Sequence, residues 1–240
     1  AFELEFGADG QLPAITIREE NGTARVVGKV DRVDGWLHDG KLYLRVVDYK
    51  TGKKSFDLAE LRYGLGLQML LYLFTLKEEG QMLFGGHEIV PAGVLYTPAR
   101  EPMLRCARDT EPETIEKALK KELRRSGMVL EDPAVLQAME HSALESPCYL
   151  PIAVKRDGAV TGSLASAEQL GKLSKYVDHI LHEITQEVFA GNIDADPYAR
   201  TPQQSACTYC EFASACHFEN GCGSDRMEYI PLLLYSFRWN

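Results

Sequence analysis

Apolar and polar residues alternate through Phe2-Glu3-Leu4-Glu5-Phe6, the period of a half-buried strand. Leu12 to Ile17 reads as a second extended piece, ending at a turn over Asn21-Gly22. From Thr23 the chain enters a longer hairpin, Gly28 to Lys50, folded at Asp39-Gly40, a dipeptide that accepts the positive φ of two-residue turns. A basic loop, Thr51-Gly52-Lys53-Lys54, then leads to one long helix. It starts at Asp57, with Glu60 completing a capping box, and stops at Gly80. Leucines cover it nearly all round, so it is expected to be buried. Ile89 to Thr97 reads as a strand. A charged helix opens near Pro112, carries Glu113/Lys117 and Glu116/Lys120 pairs, and ends before Gly127. Asp132-Pro133 starts a short helix, and Ile152 to Val160 forms a small hairpin around Asp157-Gly158. Ser166 with Gln169 opens a last long helix that runs to Gly191. Its apolar stripe is Leu170, Leu173, Val177, Ile180, Ile184 and Val188, with His179 and His182 on its surface. No repeat or low-complexity linker interrupts the 240 residues, so one compact domain over 1–240 is expected.

Composition narrows the function. With 45% hydrophobic residues the chain has ample material for a core. A net charge of −9 excludes a broad basic platform for nucleic acid, so any DNA contact must be local or shared with another subunit. No apolar run is long enough to cross a bilayer and no secretory signal precedes Phe2, which makes the cytosol the expected compartment. The run Lys117, Lys120, Lys121, Arg124, Arg125 either tracks a phosphate backbone or is a solvated face.

Charge on the central hairpin is harder to explain structurally. The Asp39-Gly40 turn sets Asp34 opposite Arg45, Asp31 opposite Asp48 and Lys29 opposite Lys50. The first pair attracts; the other two repel, each costing roughly 0.2–1 kcal/mol. Val33, Leu37, Leu42, Leu44 and Val46 share their face. Two carboxylates held close ask for a cation, and hard oxygen ligands suit Mg²⁺ or Mn²⁺. Lys50, two residues beyond Asp48, points to the same side, where an ammonium can hold a water or offset charge on a phosphate. The competing reading is a solvated hairpin end. Gln68 and Tyr72, one turn apart, are either a buried polar pair holding helix to sheet or a substrate contact.

Of six cysteines, Cys106 and Cys148 stand alone, while Cys207, Cys210, Cys216 and Cys222 crowd into the segment 205–222. Cys207-Thr-Tyr-Cys210 followed by Cys216 signals a soft metal centre. With Cys222 as fourth ligand it reads as structural zinc; with a distant fourth ligand it reads as an iron–sulfur cluster. Spacing leaves both open.

Three motifs in order, Gly28-Lys-Val-Asp31-Arg32-Val-Asp34, Val47-Asp48-Tyr49-Lys50-Thr51 and Gln68-Met-Leu-Leu-Tyr72, resemble those of RecB-like nucleases in the PD-(D/E)XK superfamily. Pro91-Ala-Gly-Val-Leu-Tyr96, Gly127-Met-Val-Leu-Glu-Asp132 and the cysteine segment resemble the C-terminal nuclease domain of AddB-type subunits of bacterial helicase–nucleases. The resemblance implies an α/β, restriction-endonuclease-like core, a mixed central sheet flanked by helices. It also implies Mg²⁺- or Mn²⁺-dependent hydrolysis of DNA in double-strand-break processing beside an AddA-type partner subunit, away from membranes. By the same resemblance Asp31 and Asp48 are metal ligands, with the Tyr49 backbone carbonyl a third. Lys50 positions or activates the attacking water, Gln68 and Tyr72 flank the site, and Cys207, Cys210 and Cys216 are three of the four ligands to a [4Fe–4S] cluster. The family's first helix motif and its fourth cluster cysteine have no counterpart upstream of Phe2. The expectation is therefore an excised piece, weakly active, with its cluster absent or damaged and with Cys222 a poor substitute. Glu5 is either another acid near the site or part of a plain edge strand. A non-cleaving DNA-binding or subunit scaffold and a small zinc-stabilised domain are the alternatives.

Overall fold

The structure, a computed structural model, describes residues 1–223 and 225–230, so the end of the expected 1–240 span lies outside the described residues. In chain order the elements are β1 (Phe2–Phe6), β2 (Ile15–Glu19), β3 (Gly22–Val26), β4 (Gly28–His38) and β5 (Lys41–Lys50), then a 3₁₀ helix (Leu58–Tyr63). Next come α1 (Gln68–Glu79), β6 (Glu88–Pro98), α2 (Pro112–Glu122), β7 (Ser126–Leu130) and α3 (Pro133–Met139). After these follow β8 (Ile152–Val154), β9 (Val160–Gly162), β10 (Leu164–Ala165), α4 (Ala167–Ala190) and β11 (Tyr198–Thr201).

Six strands form one sheet in the order β1-β4-β5-β6-β7-β10. β5–β6 and β7–β10 are parallel and the other neighbours antiparallel, the mixed sheet of the expected α/β fold. Alternation along β6 shows the layering: Val94 and Tyr96 join the core beneath α1 and α4, whereas Leu95 faces a smaller core with Leu136 of α3, Leu150 and Ile152. Helices therefore cover both faces. β2 and β3 pair only with each other, so the segment from Thr23 closes a separate small hairpin before the central one begins.

The structure corrects several element boundaries. The long helix expected from Asp57 to Gly80 is broken in two, because Gly64 and Gly66 both take left-handed φ (69° and 70°) that no helix interior tolerates. Asp57 does cap the first piece through Ala59 N–H, but the Glu60 carboxylate, expected to close the capping box, turns instead to Arg200. α4 keeps its Ser166/Gln169 capping box and its Gly191 stop, yet Ile184 and Val188 of its expected stripe are exposed. At 24 residues the helix is about 36 Å long, and its last turns overrun the core. Gly127 lies inside β7 rather than acting as a helix stop.

Candidate active site

The β4–β5 ladder follows the register the turn dictates, from His38↔Lys41 through Asp34↔Arg45 to Arg32↔Val47. There it ends. β4 stays bonded to β1 as far as Gly28, and β5 stays bonded to β6 as far as Lys50, so the two central strands part beyond Arg32. Lys29 consequently does not meet Lys50. It lies opposite Glu5 and pairs with Glu3 at 2.7 Å, which places Glu5 on the β1 edge. The like-charge ammonium pair inferred from the turn is not formed, because a strand from the chain's start supplies the acids.

Parting leaves the Tyr49 N–H without a ladder partner, and the Asp31 carboxylate takes that role, Oδ2 accepting at 2.9 Å. Asp31 is thereby fixed beside the end of β5, its other oxygen without a hydrogen bond among the described residues. Asp48 follows Val46 on the face that packs beneath α1, and only 8% of it is exposed. Lys50 Nζ stands 2.7 Å from Asp48 Oδ2. The approach is an ion contact off the line a hydrogen bond requires, so among the described residues Oδ2 is a buried oxygen with no hydrogen-bond partner. Its counter-charge is the Lys50 ammonium, which compensates the buried carboxylate by proximity and leaves its hydrogen-bonding capacity unused. Asp31 and Asp48 each offer hard carboxylate oxygen, the donor chemistry that suits Mg²⁺ or Mn²⁺, although the ladder ends at Arg32↔Val47 and does not set the two residues opposite each other as the turn implied.

Gln68 and Tyr72 meet each other, Nε2 donating to the Tyr72 hydroxyl at 3.2 Å. Gln68, expected to be buried, is exposed at the start of α1, while Tyr72 is buried and stacks on Phe6 at 5.4 Å. A Cβ on Gly28 would stand 2.5 Å from the Tyr72 hydroxyl, so the ring roofs the start of β4 where the absent side chain leaves room.

Tyr96 went unassigned in the sequence. It is buried next to Asp48 in the β5–β6 register, and Lys50 Nζ lies 5.7 Å from its ring centroid. Burial first, then the negative charges of Asp48 and Glu60, raise its hydroxyl above the usual tyrosine range and keep it protonated. Glu60 itself is held by Arg200 of β11 at 2.7 Å, and Asp57 by the same guanidinium at 3.1 Å. The cap-like spacing of Asp57 and Glu60 hid that role.

On the opposite face Asp34 sits between Arg32 (2.6 Å) and Arg45 (2.9 Å). Burial pushes its carboxyl up, but the two guanidinium groups outweigh it and hold the group below the ordinary aspartate value. A group so depressed adds stability above the aspartate range and loses it as the pH falls through that value. Asp34→Asn is expected to lower stability by about 1–3 kcal/mol at neutral pH, since it strands two half-buried cations. The deficit should shrink below about pH 4, and denaturation of both proteins across an acid series checks it.

The cysteines do not form a ligand set. Cys207 lies in a 3₁₀ turn, Cys216 ends a four-residue helix, and all six thiols are free. Among the described residues no three His, Cys, Asp or Glu side chains gather to hold a metal ion, so neither the cluster nor a zinc centre with Cys222 finds its ligands assembled here. Also among the described residues, no helix is long and apolar enough to cross a membrane.

Comparison with known proteins gives the family. A family model described as the PD-(D/E)XK nuclease superfamily matches residues 1–217. An ATP-dependent helicase/deoxyribonuclease subunit of Ruminiclostridium cellulolyticum is 34% identical over 221 residues, 91% of this chain and 19% of that protein. The proteins of the same name from Clostridium kluyveri (33%, 96% and 20%) and Thermoanaerobacter sp. (31%, 99% and 21%) are comparably similar. The chain thus spans about a fifth of the length of these relatives.

Proposed function

Because the chain belongs to the PD-(D/E)XK nuclease superfamily, we propose that it hydrolyses DNA phosphodiesters at Asp31, Asp48 and Lys50 with Mg²⁺ or Mn²⁺. In this reading it is the nuclease part of a helicase–nuclease that acts in double-strand-break repair and recombination beside an AddA-type subunit. The relatives' name supports the setting. The observation that carries the chemistry is the buried Asp48 Oδ2, lacking a hydrogen bond with an ammonium 2.7 Å away.

Asp31 and Asp48 are assigned as ligands, with the Tyr49 carbonyl as a third oxygen. A divalent ion held there supplies Lewis acidity toward a phosphoryl oxygen. Lys50 holds the attacking water and offsets the charge that grows on the phosphate as the water oxygen bonds to phosphorus and the ester bond to the leaving sugar oxygen breaks. Tyr96, kept as a neutral phenol, offers Lys50 its ring without adding a competing anion. Gln68 and Tyr72 position the start of β4 against α1, one step behind Asp31. Cys207, Cys210 and Cys216 take no part in the reaction; a [4Fe–4S] role for them requires a fourth ligand, a place for which Cys222 is a poor substitute.

Calorimetric titration of the full-length protein with Mn²⁺ tests the reading. Binding is expected, and Asp31→Ala should weaken it by more than the about 10–100-fold typical of outer-shell partners. Absence of any divalent binding would favour the non-cleaving scaffold instead.

A further inference from the structure

A second cleft, of about 350 Å³, opens on the far side of Lys50. Loop residues 52–55 form one wall, the end of α2 with Arg100 forms the other, and Tyr96, Pro98 and Ser126 lie between them. Acids outnumber bases in the whole chain by 35 to 26. In this cleft the balance inverts: Lys50, Lys53, Lys54, Arg100, Lys121 and Arg124 face a single carboxylate, Glu122. Glu122 is already committed, to Arg100 at 2.9 Å and to Lys53 at 3.7 Å. Arg124 spends its guanidinium on the Leu150 and Ile152 carbonyls. Lys54 and Lys121, both exposed, have no carboxylate within ion-pair distance among the described residues.

Concentrating like charge on both walls of one cleft, in a protein that is acidic overall, is unfavourable unless a polyanion lies between the walls. We propose that this cleft carries the sugar–phosphate backbone of a single DNA strand next to the scissile phosphate, with Lys54 and Lys121 as its phosphate contacts. The inference rests on the nuclease reading, because Lys50 and Tyr96 border both the cleft and Asp48. One strand fits better than two. The volume is that of a small-ligand pocket, and basic groups on both sides grip one backbone, as single-strand grooves do. The basic run of α2 thus divides: Lys121 and Arg124 turn to the cleft, while Lys120 pairs with Glu116 at 2.6 Å.

The test is equilibrium binding of a labelled oligothymidylate to the full-length protein, in chelator to prevent cutting, across a salt series. Each phosphate contact contributes about 0.7 to the slope of log K against log salt on single strands. Lys54→Gln with Lys121→Gln should therefore weaken binding and flatten the slope by about 1.4. Because both side chains are exposed, folding is not at stake, and circular dichroism confirms it. Unchanged affinity and slope would overturn the proposal, and so would an equal loss on blunt duplex. Mn²⁺ titration of the unsubstituted protein involves neither lysine. If it shows no binding while the slope still flattens, the nuclease reading fails alone; if it shows binding and the slope holds, the cleft assignment fails alone.

Discussion

Asp48→Asn in the full-length protein is expected to reduce DNA cleavage by about a thousandfold or more, while leaving the fold as stable as before. The two effects have one cause. The carboxylate is 8% exposed, and among the described residues its Oδ2 makes no hydrogen bond and is balanced by the Lys50 ammonium 2.7 Å away, so burying it remains a burden that the ion pair offsets in part. Removing its charge relieves that burden and leaves Lys50, about a third exposed, to water. Stability in chelator should therefore stay within about 1 kcal/mol of the original or rise slightly. On the proposed assignment, catalysis loses the group that would fix the Lewis acid, a stabilisation of several kcal/mol, with each 1.4 kcal/mol worth about tenfold in rate. A melting series completes the argument. Mn²⁺ at a hundred times its dissociation constant should stabilise the original by about 2.7 kcal/mol and the variant hardly at all. A variant that still cuts at the original rate, or that gains as much from Mn²⁺, would remove Asp48 from the site.

How much of this was legible beforehand depends on distance along the chain. The Asp39-Gly40 turn, the Ser166/Gln169 capping box and the Asp132 cap are local devices, and the hairpin register from Asp34↔Arg45 outward followed from the turn alone. The pairing of acids with the wrong strand was not foreseeable: whether Lys29 meets Lys50 or Glu5 depends on where β1 docks, a contact made across more than twenty residues. Glu60 was misassigned for a related reason. Its spacing from Asp57 suits a cap, but Arg200, far along the chain, competes for the carboxylate and wins it. Tyr96 stood only as part of the Ile89–Thr97 strand and of a family-like motif, with no role of its own, until the parallel β5–β6 register set it beside Asp48. The proposed triplet of Asp31, Asp48 and Lys50 was singled out early because all three lie on one hairpin, yet the like-charge facing that drew attention to them does not survive in the ladder, which ends at Arg32↔Val47.

Gly127→Ala is expected to be among the most destabilising single substitutions in the chain, at about 3–6 kcal/mol. A Cβ there would stand 2.0 Å from the Val94 carbonyl oxygen and 3.0 Å from Leu95 Cα, with φ at 154°. Both neighbours are backbone of β6, so nothing flexible can give way, and relief requires β6 and β7 to move apart. Since whole domains are stable by only about 5–15 kcal/mol, much of the protein should fail to fold. Gly158→Ala separates clash from backbone strain: its φ is 83°, but a Cβ there meets nothing within 4 Å. It should cost no more than the about 1–3 kcal/mol of an unfavourable backbone conformation. Denaturant midpoints of the two variants make the comparison, and near-equal losses would mean that the β6–β7 register is wrong. The consequence would reach Asp48, because Tyr96 is registered against Ser126 on one side and Asp48 on the other. Wherever β7 is displaced, the strand that holds Tyr96 under Lys50 loses its outer support, and the residues proposed for cleavage lose their alignment before the rest of the sheet comes apart.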